Sequence, residues 1–277
     1  QKDARIFLEL DQLHKKMGMK IEERLELFHK HMDVVEIRDD LYVEYVTMLN
    51  SLGRYQESYD LIMKRRFHPW EGGEGKITTQ YAVALTQLGK CALENGEAAR
   101  AVELLEQALV FPHNLGEGKL EGAKDNNIYY YLGLAKRELG QKEEAEECLL
   151  RASVGTEEPA GMMYYNDQPA DLILYQGLAN QALGKTKEAL SRFHKLIDYG
   201  EKHVYDDVRI DYFAVSLPDL QLFEEDLNKR NQAHCYYLMG LGNYGLGNYQ
   251  KAGECYGRTL ELDCSHLGAI LHRKLLK

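Results

Sequence analysis

A chain of 277 residues with 44% hydrophobic content can build a packed core, and none of its apolar runs approaches the ~20 residues that a membrane span requires. The formal charge of -10 distributes 34 Lys and Arg among 44 Asp and Glu without a basic stripe, which argues against nucleic acid as a partner. The five cysteines, Cys91, Cys148, Cys235, Cys255 and Cys264, show no CxxC spacing and fall inside helical patterns, so they read as reduced thiols of a cytoplasmic protein.

Along the chain, a glycine followed five residues later by a small residue recurs at Gly53/Ser58, Gly96/Ala101, Gly140/Ala145, Gly184/Ala189 and Gly247/Ala252. Each pair lies between two amphipathic helical patterns. If the glycine is given the fifteenth place in a helix-turn-helix unit of about 34 residues, the other positions fall into register. Leu88, Gly89, Ala101, Leu105 and Ala108 take the seventh, eighth, twentieth, twenty-fourth and twenty-seventh places. Leu132, Gly133, Ala145, Leu149 and Ala152 repeat them, followed by Gly177, Ala189 and Phe193 and then Met239, Gly240, Ala252 and Tyr256. Small residues at the eighth and twentieth places let two helices approach, and the larger apolar residues fill the gaps.

This register resembles the tetratricopeptide repeat. The fold expected is all-α, a right-handed α-α superhelix with long inter-repeat loops and one continuous domain over residues 1–277. Residues 1–36 form a degenerate first helix pair, because Asp11 and Glu23 stand at its small positions around Gly18. Residues 37–264 hold five repeats, with Val46 and Ser58 departing from Gly and Ala in the first of them. Residues 265–277 form a closing helix.

The turn glycines are 43, 44, 44 and 63 residues apart, so each unit carries a surplus that falls between helix pairs on one edge of the array. The last surplus, an inserted segment near 200–230, is long enough for a further helix, starting at Ser216-Leu217-Pro218-Asp219. These loops are rich in aromatic, imidazole, amide and carboxylate groups. They supply the candidate site residues His68, Trp70, Glu71, Glu74, His113, Asn114, Tyr164, Tyr165, Asn166, Asp167, His203, Asp206 and Asp207.

Two of the loops repeat Gly-Glu-Gly-Lys, at 73–76 and 116–119. Neither is a P-loop, since Trp70 and His113 stand where the first glycine belongs and no Ser or Thr follows the Lys. The glycines are expected to serve tight turns. The histidines and acids lack HxH or HxxxH spacing, so no metal and no other cofactor is expected. Glu71, Glu74, Asp167, Asp206 and Asp207 are the acids that an enzymatic reading would use.

In tetratricopeptide arrays the first helix of each pair lines a groove. The matching positions here include Asn127, Tyr130, Tyr131, Tyr175, His234, Tyr237 and Tyr244. Family members that clamp chaperone tails use Lys, Asn and Arg at such places, whereas this chain has Val43, Thr47, Thr86, Tyr130 and Leu134. A tyrosine-rich groove suits peptide side chains or sugar rings instead.

The strings FHPWEGGEGK (67–76), NLGEGK (114–119), MYYNDQP (163–169) and LIDYGEKH (196–203), with the segment that follows to Asp219, are similar to the C-terminal region of large bacterial proteins. In those proteins a domain of unknown function precedes tetratricopeptide repeats, and Gln1 in place of an initiator Met fits that arrangement. The resemblance implies a scaffolding module that packs on a carbohydrate-related upstream domain, with protein as the main partner, carbohydrate as a further one, and neither nucleic acid nor membrane. A peptide-binding adaptor, and loops that complete a carbohydrate-processing site, are the alternatives.

Overall fold

Five residues before each second helix gains its first small residue, the chain must reverse direction, and the glycine there adopts a conformation that side chains disfavour. Gly140 has φ 77° and Gly184 φ 76°, in the left-handed region that is accessible to glycine at little cost. The computed structural model describes residues 3–161, 168–209 and 226–276. Tyr164, Tyr165, Asn166, Asp167 and the helix expected at Ser216–Asp219 lie outside the described residues. Helices account for the regular structure, and no strand occurs among the described residues. The all-α expectation therefore holds. The chain divides into two compact units, Gln1–Ala123 and Lys124–Lys277.

In the first unit, α1 (Ala4–Lys16), α2 (Ile21–Lys30) and the short α3 (Met32–Val35) precede two regular pairs. These are α4 (Asp39–Ser51) with α5 (Tyr55–Lys64), and α6 (Lys76–Glu94) with α7 (Ala98–Ala108). Both departures from the register have a physical explanation. Ser58 is buried and its hydroxyl donates to the Val46 carbonyl, 3.3 Å away, so the polar atom is satisfied inside the pair. Asp11 is only 3% exposed because Arg24, 2% exposed, grips it through two bonds of 2.8 and 2.7 Å and reaches Glu44 at 3.1 Å. The buried face of α2 thus runs through Arg24, Leu25 and Phe28, and Glu23 stays exposed.

In the second unit, α8 (Asn126–Glu138) pairs with α9 (Lys142–Ser153), and α10 (Asp171–Ala182) with α11 (Thr186–His203). The last pair is α12 (Leu227–Gly245) with α13 (Tyr249–Leu262), and α14 (Leu267–Arg273) closes the unit. The register reappears as contact geometry. A Cβ on Gly133 would lie 2.8 Å from Leu149 Cγ, and one on Gly240 would lie 2.5 Å from Tyr256 Cε1. Each eighth-place glycine therefore receives the large side chain at the twenty-fourth place of its own pair. Phe193, Leu196, Leu238, Leu241 and Tyr256 form the centre of a buried cluster to which α14 contributes Ala269. Full burial of a Leu or Phe side chain stabilises by about 1.5–3 kcal/mol.

Candidate functional site

The loops between helix pairs are held by side-chain amides. Asn114 Nδ2 donates to the carbonyls of Ile62 and Arg65, both at 2.9 Å, where α5 ends. Asn126 Nδ2 does the same for Ala152 and Val154 at the end of α9, both at 2.8 Å, and Asn231 Nδ2 for His203 at the end of α11, at 2.6 Å. The last carbonyls of a helix have no partner within it, so each amide satisfies groups that a buried helix end would otherwise leave bare. Asn126 and Asn231 carry no motif in the sequence; only their places at or near the start of a first helix connect them.

In the first unit the two surplus loops lock onto each other. The Phe67 amide donates to the Asn114 carbonyl at 2.7 Å, and Gly116, with φ 75°, passes so close that a Cβ would sit 2.6 Å from the Phe67 oxygen. The paired Gly-Glu-Gly-Lys strings meet as well. Gly75 caps the start of α6, and its amide donates to Glu117 Oε2 at 2.8 Å. A carboxylate from the second string thus occupies the helix start where an anion would be favoured.

From this braced edge His68, Pro69 and Trp70 join Arg38, Asp39 and Asp40 around an open recess of about 210 Å³. Asp39 organises it. One oxygen accepts from Arg65 Nε at 2.8 Å, while the other accepts from the His68 amide at 2.9 Å and lies 3.3 Å from His68 Nδ1. Burial alone would raise the Asp39 carboxyl, but the His68 amide and the Arg65 guanidinium outweigh it and hold the carboxyl below its ordinary value. Asp40 is held by Arg38 at 2.6 Å. The ion pairs leave the recess close to neutral, with the His68 ring 75% exposed at its rim. Trp70 lies against Gly73, close enough that a Cβ there would strike the indole, and it also lines the recess.

The remaining loop candidates are dispersed. Glu71, Glu74 and His113 are exposed, and Asn114 acts as the bracket described above. In the second unit His203 Nδ1 meets Asp206 at 2.6 Å and its ring lies 4.5 Å from that of Tyr199. Arg209 and then Asn228 draw the exposed Asp207 below the usual carboxylate range. Of the acids proposed for chemistry, Asp206 thus meets an imidazole and Asp207 a guanidinium and an amide.

The groove candidates divide in the same way. Tyr130, Tyr131 and Tyr175 form a triangle with ring centroids 5.2, 5.8 and 5.7 Å apart. Burial pushes the Tyr130 hydroxyl up to about 12 and lifts those of Tyr175 and Tyr237 well above their ordinary value. Tyr244 packs against Tyr249 at 5.6 Å, and Asn127 is half-buried. His234 is buried, with Nε2 2.8 Å from the Ala160 carbonyl; because that oxygen can only accept, Nε2 carries the proton and His234 ties down the loop. Tyr237 meets α14, whose His266 and His272 rings lie 4.6 and 5.8 Å from it.

The helix pair that carries Tyr175 and the glycine-to-Phe193 contact decides the comparison with known proteins. Residues 171–199 match the tetratricopeptide repeat family. That match spans α10 and most of α11, one tetratricopeptide unit of the register. Similar solved structures include YrrB, described as a TPR protein with an unusual peptide-binding site, at 17% identity, 90% coverage of this chain, 99% of that one and a TM-score of 0.32. BtubC from P. vanneervenii is 14% identical over 95% of this chain and 91% of its own, with a TM-score of 0.36. A tetratricopeptide repeat protein from Parabacteroides merdae is 12% identical over 99% and 98%, with a TM-score of 0.35. Among the described residues, no helix is long and apolar enough to cross a membrane, and no group of three or more His, Cys, Asp or Glu side chains is placed to hold a metal ion.

Proposed function

We propose that this chain is a protein-binding scaffold of tetratricopeptide type whose partner contact is the braced loop edge of the first unit. The observation that carries the reading is the recess between the start of α4 (Arg38, Asp39, Asp40) and a loop (His68, Pro69, Trp70) that a second loop braces from behind. Loops fixed in this way present an aromatic ring and an imidazole with little ordering left to lose on binding. Neutral walls with a tryptophan suit an aromatic- or proline-bearing protein surface, and the same chemistry accepts the face of a sugar ring. The upstream domain of a longer bacterial protein is the partner that the loop strings suggest, with carbohydrate as an additional ligand.

Trp70 is the single tryptophan, so its emission reports directly on the recess. Titration of the upstream domain, and separately of an oligosaccharide panel, is expected to shift that emission. His68→Ala should weaken the response, and Trp70→Ala should weaken association followed by calorimetry, with helical content unchanged in both. Unaltered association in both variants would place the contact elsewhere.

A further inference from the structure

The tyrosine wall of the second unit already has an occupant. α14 reaches past the last pair: His272 contacts Tyr237 of α12, with Nδ1 3.1 Å from the hydroxyl oxygen, and its ring lies 5.8 Å from Tyr175 of α10. The Gly268 carbonyl is 2.8 Å from the same Nδ1 and can only accept, so that nitrogen carries the proton and Tyr237 lies within its reach as a second acceptor. A Cβ on Gly268 would lie 2.5 Å from the Tyr237 oxygen, so only glycine lets the helix come this close. Ala269 is completely buried beside it, and Leu271 is buried one turn on. The start of the helix is capped by an imidazole, with His266 Nδ1 accepting from the Ala269 amide at 3.1 Å.

A helix of seven residues is too short to persist in water by itself, so α14 is helical because it is docked. It packs on α13 and α12 and reaches Tyr175 of α10 through the His272 ring, at the end of the tyrosine wall. Only residues 263–266 join it to α13. Its docking face consists of an imidazole, a glycine-alanine pair, a leucine and a second imidazole within His266–His272.

We propose that the wall formed by Tyr175 and Tyr237 is a binding site for a short helix with two small residues flanked by histidines, that α14 is its intramolecular occupant, and that a partner segment of that chemistry displaces it. This is helix-in-groove recognition, with the chain serving as its own first ligand. Such a short tether holds the occupant at an effective concentration on the order of millimolar. The wall thus stays closed to weak competitors and opens to a segment that binds more tightly or is delivered at high local concentration. The site is independent of the loop edge of the first unit, so either reading can fail without the other.

The test uses the full chain and a fluorescein-labelled synthetic peptide of residues 264–277. Gly268→Leu drives a side chain into Tyr237 and should release α14. The peptide is expected to bind this variant at least about tenfold more tightly than wild type, where the tethered copy competes. A peptide carrying the same Gly→Leu change should not bind. Hydrogen exchange should show amides 267–273 opening in the variant while those of 249–262 stay protected. If Gly268→Leu loses helix throughout the unit, His272→Ala removes the tyrosine contact without a clash and is read in the same way. Peptide binding that is absent from both variants, or amides 267–273 that open only with the whole unit, would overturn the proposal.

Discussion

The loop edge of the first unit and the tyrosine wall of the second are both rich in aromatic residues, yet one is open and the other filled. At the loop edge, His68 and Trp70 stand over loops that ion pairs and amide brackets have already fixed. At the wall, the tyrosines are buried against a helix that the same chain supplies. Aromatic residues at helical spacing therefore do not by themselves mark an open site. What matters is whether a neighbouring segment is close enough, and small enough at the point of contact, to cover them.

The largest expected effect that would break this comparison lies in the buried ion cluster of the first unit. Arg24→Met leaves Asp11 buried without its guanidinium and should cost the first unit about 3–5 kcal/mol. In a denaturant titration the transition followed by Trp70 should move to lower concentration. The simultaneous change Asp11→Leu should recover most of the loss. A Trp70 transition that does not move in Arg24→Met would mean that the cluster does not support this unit.

Next in size is Asn114→Ala, which strips two carbonyls at the end of α5 of their donor and should destabilise by about 1–3 kcal/mol. The loop edge loosens with it, so Trp70 emission should shift even under native conditions, while exchange of the amides of α14 stays as in wild type.

Lowering the pH should separate the two regions without any mutation. Burial depresses His266, overcoming the opposing pull of Asp263, while His272 adds to the depression and Asp171 opposes it. Tyr237 of α12 and Tyr175 of α10 also present their rings to these imidazoles, and Tyr256 of α13 packs beside Tyr237. Docked α14 therefore favours the neutral imidazole: docking is intact above the free value of 6.5 and is lost as pH falls below it through the docked value. Asp39, held below the ordinary aspartate value of 3.8, keeps its contribution until pH falls past that point. Between pH 7.5 and 5.5, the protection factors of amides 267–273, corrected for the intrinsic exchange rate, should fall while those of the first unit stay constant. Equal changes in both would merge what the structure separates.

The smallest effect on stability is expected from Trp70→Ala. The indole is half-exposed at the recess, so the thermal midpoint should barely move, and the change should appear only in partner association.

The helix pairs were legible in the chain because a turn glycine, an eighth-place glycine and a twenty-fourth-place large residue each answer one steric demand, and Gly133 against Leu149 meets it as expected. The first pair was less legible. Asp11 and Glu23 read as polar residues at small positions, whereas the burial falls on Arg24, one residue further on, and a buried ion pair looks like surface in any apolar pattern. At the recess, His68 and Trp70 could be picked out by chemistry. Asp39 could not, because its role depends on Arg65 and His68, 26 and 29 residues away. Likewise the tyrosines of the wall were visible, but α14 could as well have covered α13 alone. The choice rests on the absence of a side chain at Gly268.

The asparagine brackets have a consequence for how such a chain can change. Because Asn114, Asn126 and Asn231 each fasten the end of a second helix from outside the helix, the connecting stretch is relieved of terminating it. Its length and content can drift while the architecture on either side stays constant. Spacings of 43, 44 and 63 between turn glycines are what such freedom produces. The brackets make the connectors interchangeable cassettes, so new recognition chemistry can be inserted or exchanged at one joint with the load carried by its neighbours.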